Sequence, residues 1–125
     1  MRIALLVIVG VISACSKTPQ DEFSTAWLKG QYNEQFSRKG GTYVRQMVGS
    51  LGPALTASEA ECGVKPKEAP QPVDLVVQIN LDGSVRKAMA RPRSAAWDCI
   101  VHALAKKTFP PPPEEGFWTS GTIHN

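Results

Sequence analysis

The segment 73–91 restricts the fold of this chain more than any other part of the sequence. In residues 73–81 apolar side chains alternate with more polar ones, which is typical of a strand that buries one face and exposes most of the other to water. Asp82 and Gly83 then form a tight-turn signal, and residues 84–91 return as a second strand. The inward positions of the return strand require a one-residue offset near Arg86 and Lys87, which predicts a β-bulge. The segment therefore predicts an antiparallel β-hairpin.

An amphipathic helix and a third strand are predicted to follow this hairpin. Ser94 is the predicted N-cap, and apolar residues recur after it at the spacing i, i+3, i+4 and i+7: Trp97, Ile100, Val101 and Leu104. The prolines at 110–113 must leave the helix, and we interpret them as a rigid connector, with docking into a partner's groove as the alternative. Residues 116–124 are rich in β-prone side chains and predict the final strand.

Two helices are predicted before the sheet, in residues 22–63. The first begins near Glu22 and ends at Gly40-Gly41. It carries an aromatic stripe that we interpret as core packing rather than as a ligand site: Phe23, Trp27, Tyr32 and Phe36.

The second helix is predicted to begin with Thr42 as its N-cap. Gly52-Pro53 is expected to break or kink it, and it is expected to end near Gly63. Residues 65–72 are rich in proline, so we expect an irregular connector between this helix and the first strand.

The first 14 residues are typical of a removable export signal. A basic start is followed by an apolar run of about ten residues, which is too short for a bilayer, since a spanning helix needs roughly 20. Residues 12–15, Ile-Ser-Ala-Cys, resemble a bacterial lipobox, in which the cysteine, here Cys15, is acylated and becomes the mature N-terminus. The alternative is an ordinary signal that happens to contain a cysteine. Ser16 follows Cys15 where an aspartate would favour the inner membrane, so the resemblance favours the outer membrane, and residues 15–21 are interpreted as a tether.

Export determines how the other two cysteines are interpreted. In an oxidising compartment an even pair forms a disulfide by default, so we expect Cys62 and Cys99 to be bonded. No CxxC spacing occurs, and only His102 and His124 are available as further ligands, so we predict no metal and no cofactor.

Composition and the remaining polar residues favour a small protein that is not an enzyme. The 125 residues carry a net charge of +3 and are 42% hydrophobic, which fits one small domain and excludes a large multidomain enzyme. The weak net charge and the export signal argue against a nucleic-acid partner. We expect no catalytic residue, because His102 is predicted to be solvated and the carboxylate pairs at 59/61 and 114/115 are interpreted as solubilising.

The order of these elements resembles the C-terminal domain of TonB-type energy transducers. The segments that carry the resemblance are residues 76–85, the helix 96–106 and residues 109–112. A disulfide-bearing subset is similar in placing one cysteine before the first strand, like Cys62, and one in the helix, like Cys99. The resemblance implies an α+β fold in which an N-terminal helical segment precedes a small TonB-C-like β-β-α-β domain, residues 64–125, with an antiparallel sheet.

The differences from that family bear on function. An energy transducer needs an uncleaved transmembrane helix and a long proline-rich arm, whereas this chain has a signal predicted to be cleaved and a short tether. Family domains pair with partner strands at sheet edges, and the resemblance implies this binding mode here. We therefore expect a lipid-anchored, periplasm-facing protein that acts as an interaction or assembly module for another envelope protein. The alternative is a lipoprotein inhibitor or immunity factor against a periplasmic enzyme.

Four basic residues on or just after the return strand form the candidate partner-binding site: Arg86, Lys87, Arg91 and Arg93. We expect them to steer an acidic protein partner towards the exposed sheet edge. Anionic lipid and cell-wall polymer are alternative partners, and a charged edge that only discourages aggregation is a further alternative.

Overall fold

The computed structural model describes residues 19–65 and 68–124, which form three helices and three strands. The elements are α1 (Pro19–Phe36), α2 (Arg38–Glu61), β1 (Val73–Ile79), β2 (Val85–Arg91), α3 (Ala95–Leu104) and β3 (Phe117–Ile123). The fold is mixed α+β: two helices precede a small antiparallel sheet, and a third helix connects its second and third strands. The predicted signal peptide and Cys15 lie outside the described residues.

The sheet has the strand order β2-β1-β3, and both neighbouring pairs are antiparallel. β1 is therefore the central strand, and β2 and β3 lie at the two edges. Gln78 pairs with Lys87 while Ile79 pairs with Val85, so Arg86 is an extra residue on β2. This register shift confirms the bulge that the sequence predicts at this point.

Helices cover both faces of the central strand. On one face Val77 packs in a core cluster with Met47 from α2 and Leu104 from α3. On the other face Val76, which is completely buried, packs with Phe23 from α1. The prediction that β1 exposes most of its second face to water is wrong, because α1 covers that face.

α1 approaches the sheet at a glycine, and its aromatic stripe does not face the core along its whole length. A Cβ atom placed on Gly30 would lie 2.4 Å from Ser120 Oγ, so a side chain at this position would push the helix away from β3. Phe23 is buried as predicted, whereas Tyr32 and Phe36 are 63% and 73% exposed. The core-packing interpretation of these two rings is therefore wrong, because they lie on a different side of the helix from Gly30.

The boundary between α1 and α2 lies at Ser37, earlier than predicted. The Ser37 side chain accepts the backbone N–H of Gly40 at 3.0 Å and caps α2. Gly40 and Gly41 are thus inside α2, and Thr42 is not its N-cap, contrary to the prediction. Gly40 has no side chain, so α2 can begin in close contact with the end of α1. A Cβ atom at this position would lie 2.2 Å from the carbonyl oxygen of Asn33.

α2 continues through Pro53, so of the break or kink predicted there the break does not occur. Residues on both sides of the proline pack against the same core cluster, which holds the helix together as one element: Leu51, Ala54 and Leu55. α2 ends at Glu61 with Cys62 as its C-cap, and Gly63 follows with a φ of 64°, close to the predicted end.

α3 begins as predicted, and a disulfide joins it to the end of α2. The Ser94 side chain accepts the N–H of Trp97 at 3.1 Å, which confirms the predicted N-cap. Cys62 and Cys99 are bonded, with their Cα atoms 6.0 Å apart, which confirms the predicted pair.

The proline run after α3 is held against α2. Tyr43 Oη donates to the carbonyl oxygen of Pro110 at 2.8 Å, and burial raises the pKa of Tyr43 to about 12, which keeps the hydroxyl protonated for this bond. The Tyr43 ring also packs edge-on against Phe117 at the start of β3. These contacts support the interpretation of the prolines as a rigid connector.

Candidate functional site

The backbone of β3 is tied to α1. Asn33 Nδ2 donates to Trp118 O at 3.0 Å, and Gln31 Nε2 donates to Ser120 Oγ at 2.9 Å. Ser120 Oγ in turn donates to the carbonyl oxygen of Trp27 at 3.1 Å. Polar side chains of one helix therefore hold this edge strand and use part of its hydrogen-bonding capacity.

The hydrogen-bond register shows which backbone groups of β2 point away from the sheet. The N–H of Asn80 donates to Ser84 O at 2.8 Å, so the even-numbered residues of β1 direct their backbone groups towards β2. Met89 lies opposite one of these residues and bonds to β1, whereas the N–H and C=O groups of its neighbours Ala88 and Ala90 point outward. Within residues 19–65 and 68–124, no side chain hydrogen-bonds to these outward groups.

An open groove of about 750 Å³ lies along this free edge. We call it the β2-edge groove, and its lining comes from β2, from the start of α1 and from α3: Ala88, Met89, Ala90, Glu22, Phe23, Asp98 and Val101, together with basic residues of the rim. The outward backbone groups of Ala88 and Ala90 lie along this groove, and an added strand at the usual spacing of about 4.8 Å would pair with them.

Lys87 and Arg93, two of the predicted basic residues, line the groove beside carboxylates of its walls. Lys87 forms an ion pair with Glu22 of α1. Arg93 pairs with Asp98 of α3 at 3.2 Å, and its hydrogen bonds to that carboxylate raise the pKa of the guanidinium. These two pairs connect the β2 side of the groove to both of its walls.

Arg91 and Arg86 lie near the two ends of β2 and are also paired. Arg91, which lines the groove, lies 3.6 Å from the Asp74 carboxylate, and its guanidinium carbon lies 4.4 Å from the centre of the Phe23 ring. Arg86, at the bulge, lies outside the groove lining and forms an ion pair with Glu115. Each of the four cations thus faces a carboxylate, so the rim has balanced charge and is not a bare positive patch.

Sequence reasoning misses the two outward-facing alanines and the helix residues of the groove. The sequence does not show which backbone N–H and C=O groups stay unpaired. The alternation in residues 84–91 indicates a strand, but it does not show whether the edge of that strand is open. Phe23 is recognisable only as an apolar helix residue, and Asp98 only as an acid in the first turn of its helix. The small residues Ala88 and Ala90 between basic side chains are the one local feature that points to this edge.

One carboxylate of each pair considered for acid–base chemistry has a structural partner. Glu61 binds Lys107, whose hydrogen bond lowers the pKa of this carboxyl, and Glu115 binds both Arg86 and the N–H of Leu81. In the part of the chain that the structure describes, no group of three His, Cys, Asp or Glu side chains is arranged to hold a metal ion. None of the helices in that part has the length and apolar character needed to cross a membrane.

No family model, no curated protein and no solved structure matches the chain. The features that define the site are therefore those of the chain itself: a three-stranded antiparallel sheet, helices on both faces, and one edge strand whose outward backbone groups lie along a groove.

Amide exchange tests the edge geometry directly. The N–H groups of Ala88 and Ala90 are expected to exchange nearly as fast as in an unstructured peptide, because they have no acceptor among the residues that the structure describes. The Met89 amide is expected to exchange at least about 100-fold more slowly, since it bonds to β1 and exchanges only after local opening. Hydrogen–deuterium exchange followed by NMR measures all three rates. Equal protection of the three amides would mean that the β2 edge is not open.

Proposed function

We propose that the protein is anchored to the bacterial envelope by acyl chains on Cys15 and acts there as a non-catalytic interaction or assembly module. It faces the periplasm, with the outer membrane favoured over the inner one. A partner envelope protein binds by adding an extended segment to β2, and its affinity comes from backbone hydrogen bonds to Ala88 and Ala90. The β2-edge groove is the observation that carries this proposal.

The order of elements supports the resemblance to TonB-type C-terminal domains. The hairpin β1–β2 is followed by α3 and then by β3, and the tight turn at Asp82 and Gly83 lies inside the hairpin. The resemblance implies that sheet-edge pairing is the binding mode, and the open backbone of β2 is where such pairing is available. The finer assignment to a TonB-C-like domain is part of this proposal.

The disulfide supports the proposed compartment. Disulfides persist in oxidising environments such as the bacterial periplasm and are rare in the cytosol. The bonded pair Cys62–Cys99 therefore agrees with export by the predicted signal and with acylation of Cys15 outside the cytoplasm.

The role of the basic residues in the proposal is orientation of the partner. Lys87 and Arg93 border the groove, where they pair with Glu22 and Asp98. A carboxylate on the incoming segment can replace either acid as the ion-pair partner. Such exposed ion pairs are weak, at about 0.2–1 kcal/mol, so exchange costs little. By this exchange an acidic side chain of the partner binds Lys87 or Arg93.

A proline at the outward position tests the binding mode. Ala88→Pro removes an N–H that the sheet does not use, a substitution that edge strands tolerate. We expect the full-length protein carrying this change to lose at least about tenfold in capture of its envelope partner, which corresponds to about 1.4 kcal/mol. Quantitative pull-down from envelope extracts measures the change, with circular dichroism to follow folding.

Two matched variants control this experiment. Ala88→Ser keeps the N–H and should capture the partner like the unmodified chain, whereas Met89→Pro removes a hydrogen bond of the sheet and should destabilise the fold. Equal capture by Ala88→Pro and the unmodified chain would contradict edge pairing. A captured periplasmic enzyme that loses activity on binding would instead identify the protein as an inhibitor or immunity factor.

A further inference from the structure

α1 carries an exposed apolar stripe, two residues of which, Leu28 and Tyr32, border an open pocket beside Trp118 of β3. Leu28, Tyr32 and Phe36 are 68%, 63% and 73% exposed and lie at the spacing i, i+4, i+8 on one side of the helix. At 100° per residue, the mean direction of this stripe lies about 140° from that of Ala26 and Gly30, which face the sheet. The Tyr32 and Phe36 rings contact each other, with their centres 5.2 Å apart. The core of the described protein therefore makes no use of these three side chains.

Free positive charge lies beside this stripe. Lys29 follows Leu28 on α1, while Arg38 and Lys39 begin α2 directly after the stripe ends, and all three are exposed. None of them has an ion-pair partner among the residues that the structure describes, in contrast to the cations around β2. Glu34 lies about 160° around α1 from the middle of the stripe, and Glu114 borders the pocket that Leu28, Lys29 and Tyr32 line without forming an ion pair there.

The position of the stripe in the chain indicates which surface it meets. Only three residues separate Cys15 from Pro19, so the first residue of the described helix lies within about 14 Å of the cysteine. α1 has 18 residues and is about 27 Å long. If Cys15 is acylated, the helix begins at the bilayer surface, and the stripe lies within one helix length of it.

We propose that α1 binds the surface of an anionic phospholipid bilayer through Leu28, Tyr32 and Phe36, with Lys29, Arg38 and Lys39 contacting lipid phosphates. Aromatic and leucine side chains partition into the headgroup region, and basic side chains beside them bind anionic lipids. This inference rests on the proposed acylation of Cys15. It places the exposed side of α1 against the bilayer, with the start of the helix, where Glu22 and Phe23 line the β2-edge groove, nearest to the anchor.

Photo-cross-linking of the lipidated full-length protein tests the contact. Benzoylphenylalanine replaces Phe36 in one variant and Val48, a 62% exposed apolar residue of α2, in a matched control. The proteins are reconstituted into vesicles of phosphatidylcholine alone or with one third phosphatidylglycerol. In the anionic vesicles we expect at least about fivefold more lipid adducts at position 36 than at position 48. The triple change Lys29→Gln, Arg38→Gln and Lys39→Gln should lower the yield at position 36 by a similar factor.

The outcomes separate this inference from the proposed anchor. Intact mass shows whether Cys15 carries acyl chains, so a failed anchor is visible regardless of the cross-links, and vesicles added to the unacylated protein still test the α1 surface. Equal lipid adducts at positions 36 and 48 in anchored protein would overturn the inference. Adducts at position 36 to a second copy of the chain or to another protein, in place of lipid, would overturn it as well.

Discussion

Replacement of Cys62 and Cys99 by serine is expected to lower the free energy of unfolding by about 3–4 kcal/mol. The bond closes a loop of 37 residues, and its removal returns that loop's conformational freedom to the unfolded chain. A small domain has a total stability of about 5–15 kcal/mol, so this loss is a large part of it. The melting temperature should fall by at least about 12 °C.

Urea and thermal unfolding of the double variant measure this effect. The unmodified chain in a strong reductant is expected to match the variant, while Cys15→Ser alone should leave the stability of the fold unchanged. A loss below about 1 kcal/mol would show that the bond contributes little to folding. Because Cys99 adjoins Asp98, the same variants should also loosen the α3 wall of the β2-edge groove and weaken partner capture.

Leu104→Ala is expected to destabilise the protein by about 2–5 kcal/mol. Leu104 is completely buried and packs in the core cluster that joins α2, α3 and the sheet, which includes Val77 and Phe109. Truncation removes apolar contacts and leaves a cavity. The helices on both faces of the sheet hold the surrounding structure in place, so this cavity collapses only partly.

His102→Ala is the matched control for this substitution, because His102 is an exposed residue of the same helix. It should change the free energy of unfolding by about 0.5 kcal/mol or less. Denaturant unfolding compares the two variants under one set of conditions. If they were equally stable, α3 would not be part of the core that holds the sheet.

Elements with strong local signals are predictable from the sequence. The β1–β2 hairpin depends on alternation and on Gly83, whose φ of 89° suits glycine and whose Cβ would lie 2.1 Å from Phe109 O. The bulge at Arg86 and the N-cap at Ser94 are likewise consequences of neighbouring residues. Predictions based on helix-breaking residues alone are less reliable, because Pro53 lies in a helix that core packing on both sides stabilises.

The three strands and α3 are predictable because periodicity and capping are local, and the pairing of Cys62 with Cys99 is predictable from the cysteine count together with the export signal. The buried side of α1 and the open edge of the sheet, in contrast, depend on how the helix packs on β3. Gly30 allows α1 to lie on β3, so polar side chains of the helix bind that strand, whereas no described residue binds the outward N–H and C=O groups of Ala88 and Ala90 on β2. The physical reason is that these choices depend on contacts between residues about 90 positions apart, such as Gln31 and Ser120, which no local pattern encodes.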